Sequence, residues 1–193
     1  MRSLLCYALV ILGGCNSINR PRDGLPAERP WGPASAGLRM AVWTTPSDTI
    51  QAAAPHVHVG IENVGESDVV LNLGIMLANG RRMYPLAIAL VLTDTTGKIR
   101  PLTYPDPAVG GRVDDYLVAL RAGSRYSLRL GLEQYYSTSA DEYPLKLAPG
   151  SYRIEARLAG REARAINLDT QGIALLNFWT GTLRSNVATF TLR

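Results

Sequence analysis

Cysteine and histidine are nearly missing from this chain: Cys6, Cys15, His56 and His58 are the complete set in 193 residues. So few thiols exclude a disulfide framework and a zinc site built from cysteines. Any Ser-His-Asp or Cys-His catalytic arrangement would have to use His56 or His58. Also lacking are a Gly-x-Ser-x-Gly elbow, a phosphate-cradling Gly-x-x-x-x-Gly-Lys and a dinucleotide fingerprint. Gly123-Ser124 and Gly150-Ser151 stand in turn-like contexts that account for both residue types without a nucleophile. The sequence therefore reads as non-enzymatic and needing no cofactor, with a metal-dependent hydrolase as the weakest alternative. Charge is sparse as well: 19% of residues are charged and the formal net charge is +4, too small to argue for nucleic acid. No apolar run approaches the roughly 20 residues of a permanent membrane-spanning helix.

What the N-terminus does have is an address. Arg2 and the free amine form a small positive region, Leu4–Leu12 is a continuous apolar run, and Leu12-Gly13-Gly14-Cys15 places small residues before a cysteine. This pattern resembles a bacterial lipoprotein signal with its lipobox, against the alternative of an ordinary secretory signal cut nearby. The resemblance implies acylation of Cys15 and a stable membrane anchor, because two or three acyl chains hold where one is marginal. Cys6 would leave with the leader, so the exported domain would depend on core packing rather than disulfides. Asn16, in place of the aspartate associated with inner-membrane retention, points to the outer membrane. Residues 1–15 are thus the expected signal and 16–36, with Pro21, Pro26, Pro30 and Pro33, a Pro-rich tether. Trp31 is the one residue there that does not fit a plain spacer, and packing on the domain edge accounts for it.

From residue 37 to 193 the pattern changes to a period of two, the signature of strands with one wet face. Val57, Val59 and Ile61 alternate with His56, His58, Gly60 and Glu62, and Val69, Leu71, Leu73 and Ile75 follow after the Asn63–Asp68 turn. The apolar run Leu86–Leu92, whose periodicity would also suit a buried helix but whose length and bracketing turns favour a strand, and the strand Lys98–Leu102 flank Asp94-Thr95-Thr96-Gly97 as a hairpin. Alternation returns at Tyr126–Leu132, Tyr152–Leu158 and Ser185–Leu192. Eight or nine strands at turn-punctuated spacing, with almost no helical period, predict a single antiparallel β-sandwich.

Leu147-Ala148-Pro149-Gly150-Ser151-Tyr152 resembles the tyrosine corner of immunoglobulin-like sandwiches, in which the phenol bonds a backbone carbonyl a few residues upstream. With Leu120-Arg121-Ala122-Gly123-Ser124 and the 178–187 ending, the chain resembles bacterial exported lipoproteins carrying an immunoglobulin-like domain. Its middle is similar to the β-sandwich family of bacterial intracellular proteinase inhibitors, at the Asn63 turn, the Asp94–Gly97 turn and the Pro149–Tyr152 corner. Those shared positions are turns, so they imply architecture and bring no inhibitory residue with them.

The expectation is a lipid-anchored envelope protein with a noncatalytic binding or structural domain, contacting an envelope protein or polymer, with a proteinase-inhibitor-like domain as the alternative. Tyr135, Tyr136, Phe178 and Trp179 are the candidate binding residues, because they flank irregular segments where a sandwich clusters its loops. His56 and His58 share one strand face with Glu62 and are the only metal-like spacing. Two imidazoles are not a site, and a polar sheet face explains them. Asp114-Asp115 and Asp141-Glu142 read as solvated loop acids. Arg129, Arg153 and Arg157 fall on polar strand faces, where a solvated edge or a basic binding surface would both place them. The long 160–182 connection, rich in large apolar residues, is expected to dock in part and to offer its outer part, with Tyr135 and Tyr136, as a contact surface.

Overall fold

The period-two segments become strands in the computed structural model, which describes residues 30–46, 55–77, 80–108, 113–139, 145–163 and 177–192. Cys15, the apolar leader and residues 16–29 of the expected tether lie outside the described residues, as do Asp141 and Glu142. The fold is an all-β sandwich of three antiparallel sheets. One sheet has the order β1 (Leu38–Thr45), β2 (His56–Asn63), β8 (Arg125–Gly131). A second has the order β4 (Arg82–Tyr84), β3 (Val69–Leu77), β7 (Asp114–Leu120). The third runs β11 (Thr182–Leu192), β10 (Gly150–Ala159), β5 (Ile88–Asp94), β6 (Ile99–Thr103), β9 (Tyr136–Ser137). The eleven strands among the described residues exceed the expected eight or nine partly because β4 and β9 are too short to show a period.

Inward faces of all three sheets meet in one hydrophobic cluster that includes Val59, Ile61, Leu71, Leu90, Ile154 and Leu158. Each such side chain contributes roughly 1.5–3 kcal/mol by leaving water. The apolar run at 86–92 is a strand as expected, but it begins at Ile88, because the Ile88 N–H donates to the Pro85 carbonyl in a turn that opens it. The tyrosine corner is formed. The Tyr152 hydroxyl donates to the Ala148 carbonyl at 2.7 Å, and the ring stacks on Phe190 with centroids 5.4 Å apart.

Two irregularities shape the edges. Between Glu155 and Arg157 the β10–β11 register slips, and the Ala156 N–H is taken by the Ser185 hydroxyl instead of a strand carbonyl. Beside Ser185, the Asn186 side chain reaches β1, accepting from the Val42 N–H at 2.8 Å and donating to the Val42 carbonyl at 3.1 Å. In β3 the register slips between Asn72 and Gly74. A Cβ on Gly74, whose φ is +157°, would lie 1.8 Å from the Tyr84 carbonyl oxygen, so only glycine fits this crossing. Asn72 is buried there and donates to Asp115, which corrects the reading of Asp114 and Asp115 as loop acids: both are in β7.

Residues 30–36 belong to the folded body rather than to a free tether. The Gly32 N–H donates to the Met40 carbonyl, and Ser35 and Leu38 exchange both main-chain bonds. Gly32 lies so close to β11 that an added Cβ would stand 2.1 Å from the Arg184 carbonyl oxygen. Trp31 covers the outer face of the first sheet, its ring 4.8 Å from the Arg39 guanidinium and 5.5 Å from that of Arg125.

Candidate functional site

Strand pairing defines two ends of the sandwich: Leu38 faces Asn63 at one, and Thr45 faces His56 at the other. At the first end the chain crosses twice between sheets, through the 63–68 and 121–124 turns, and Asn63 ties the two crossings together. Its amide donates to the carbonyls of Ser67 (2.9 Å) and Leu120 (3.0 Å), and its side-chain oxygen accepts from the Gly65 N–H. Its main chain bonds Gly123 and Ser124. Every polar group of this buried side chain is matched, a condition under which a buried amide specifies one arrangement rather than destabilising it. Asp68 adds a bond from the Ala122 N–H, and the Gly37 carbonyl accepts from Val64 and Gly65.

A fourth segment, Asn177–Gly181, completes this end. Asn177 accepts from the Val70 N–H and the Trp179 N–H donates to Val70, which pins the segment to the free side of β3. The Trp179 indole is buried against Gly160 and Gly181, where an added Cβ would meet the ring at 2.5 and 2.7 Å, and its Nε1–H donates to the Ala36 carbonyl. Between these turns opens a cleft of about 470 Å³, lined in part by Gly37, Glu66, Ser67, Asn177, Phe178 and Thr180. Phe178 is half-buried in its wall, and Glu66 and Ser67 are exposed beside it.

The candidate residues are therefore distributed rather than gathered. Trp179 and Phe178 are at the cleft, the first as a buried pillar and the second as lining. Tyr135 is fully buried: it follows the 3₁₀ turn Leu132–Gln134, packs edge-to-face on Tyr104 at 5.2 Å, and aims its hydroxyl at the Ile88 carbonyl. Burial pushes its phenol well above the ordinary range. Tyr135 thus offers no contact surface, and the half-buried Tyr136 sits on β9 at the far edge of the five-stranded sheet, away from Phe178. The middle of the 160–182 connection lies outside the described residues.

His56 and His58 do share a face of β2, as the spacing requires. His58 stacks on Trp43 (5.2 Å, 8° between planes) and lies 2.9 Å from the Thr45 hydroxyl. Glu62, which shares that face of β2, is held by Arg39 at 2.5 Å and Arg125 at 2.9 Å. Burial works against its charge and the two guanidiniums outweigh that, so its carboxyl stays below the ordinary value. Among the described residues no three or more His, Cys, Asp or Glu side chains come together as metal ligands. Sequence reasoning missed Asn63 and Asn186, which it read as turn and strand filler; a buried amide leaves no periodic signal.

No protein-family model matches this chain, and no curated protein matches it.

Proposed function

We propose that this chain is an exported protein anchored by lipid at Cys15, and that its sandwich is a noncatalytic module that binds another envelope protein at the Asn63 end. The observation that carries the reading is the cleft whose rim is fixed before any partner arrives. Four chain segments are bonded to one another by main-chain groups and by Asn63, Asp68 and Trp179. A rim that loses little freedom on association keeps more of its contact energy as affinity. Phe178 supplies an apolar contact and Glu66 a charged one.

The test has two arms. Fatty-acid labelling should mark the wild type and not Cys15→Ala; equal labelling or equal detergent partitioning of both would overturn the anchor. In anchored protein, Phe178→Ala and Glu66→Lys should each remove a cross-linked envelope partner that Ile99→Ser, a change at an exposed residue of β6, retains. Retention of every partner by all three variants would place binding elsewhere.

A further inference from the structure

The opposite end of the molecule carries a second opening, a groove of about 620 Å³ bounded by the Asp94–Gly97 turn and the ends of β10 and β11. Its chemistry differs from that of the cleft. Register places Thr93, Arg153 and Thr189 side by side on neighbouring strands, and Ser151 beside Thr191. Because residues in one row of a pleated sheet point the same way, this is a patch of four hydroxyls around one guanidinium. Ser151 and Thr191 lie 3.1 Å apart, and since one hydrogen serves that bond, one O–H of the pair remains to donate outward. Tyr152 and Phe190, which alternate with these residues, are buried and stacked on each other on the core side of the sheet.

Charge in the groove is unevenly committed. Asp94 turns one carboxylate oxygen into its own turn, accepting from the Thr96 N–H (2.9 Å), the Thr96 hydroxyl (2.6 Å) and the Lys98 N–H (3.0 Å). Glu155, the acid two residues from Arg153 on β10, is bonded to Arg157 at 2.8 Å. Arg153 is exposed and has no acidic partner among the described residues. A guanidinium presents a planar fork suited to a carboxylate, and the hydroxyls around it suit an alcohol-rich ligand.

We propose that this groove binds a carboxylated saccharide, with its carboxylate on Arg153 and its hydroxyls on Thr93, Ser151, Thr189 and Thr191. This site is independent of the protein-binding cleft at the Asn63 end, and variants of one leave the other untouched. The probe is tetragalacturonate, titrated into ¹⁵N-labelled protein, with its fully methyl-esterified form and inorganic phosphate as the two comparisons. Tetragalacturonate should shift the amides of Thr93, Arg153 and Thr189 saturably. Arg153→Gln should weaken that binding about tenfold or more while the remaining amide spectrum stays in place, the size expected for one charged hydrogen-bonding partner. Thr189→Val with Thr191→Val should weaken it as well, and the ester should bind no better to the wild type than to Arg153→Gln. Any of three results overturns the proposal: no saturable shift at these amides at millimolar saccharide, equal binding of acid and ester, or phosphate shifting the same amides as strongly as the saccharide.

Discussion

Asn186 holds both main-chain groups of Val42, standing in for the neighbouring strand that β1 lacks on that side. The side-chain amide offers one donor and one acceptor in the spacing of a peptide group, so it continues the ladder for a single residue between two sheets. Asn186→Ala should cost about 2 kcal/mol, on the scale of two net hydrogen bonds. Asn186→Asp should cost at least as much, because it sets a carboxylate oxygen against the Val42 carbonyl. Urea denaturation midpoints equal to the wild type for both variants would remove the bridge from the account.

Tyr152 separates hydrogen bonding from packing. Tyr152→Phe keeps the stack on Phe190 and loses only the bond to Ala148, an expected loss of about 1 kcal/mol. Tyr152→Ala removes the ring and should cost about 3 kcal/mol or more. The same denaturation series reads both, and a Phe variant as unstable as the Ala variant contradicts this division.

The Trp179 seat depends on two absent methyl groups. Gly160→Ala or Gly181→Ala pushes a Cβ into the indole and should destabilise by about 1–3 kcal/mol, the usual range for overpacking. Tryptophan emission should shift to the red as the ring is displaced toward water. Gly123→Ala is the comparison: nothing lies within 4 Å of its added Cβ, although its φ of +72° carries a backbone cost of its own. An unchanged spectrum in both seat variants would show that the ring has room to spare.

Glu62 gives the fold an acid-sensitive contact. Its pKa is lowered in the folded state from an ordinary value of 4.5. The ionised form therefore contributes stability above that ordinary value, and the contribution is lost as pH falls through the lower folded value. Stability plotted against pH should show a steeper acid limb in the wild type than in Glu62→Gln, with the two curves drawing together below about pH 4.5. Parallel curves across that window would mean that the Arg39 and Arg125 contacts carry no linked proton.

The sandwich was legible because burial alternates along β5, β10 and β11 as their residues do, and Pro149-Gly150 before Tyr152 is a local signal with a local outcome. The site was legible only in part. Phe178 and Trp179 drew notice as large aromatics near a long connection, yet nothing in sequence distinguishes a pillar between two glycines from an exposed contact. Tyr135 and Tyr136 are adjacent in sequence and differ in fate because a 3₁₀ turn sets the first inward. Asn63 and Asn186 act across separations of 57 and 144 residues, and no local pattern encodes such pairings.

Under the proposed anchor at Cys15, the docking of Trp31, Gly32 and Ser35 onto β1 and β11 would shorten the leash that holds the domain. With residues 16–36 free, twenty-one residues could extend about 70 Å from the lipid; with residues 30–36 in the body, the fourteen from 16 to 29 reach at most about 50 Å. A domain so anchored would sweep about a third of the hemispherical volume, and its effective concentration toward a partner in the same membrane would rise about threefold.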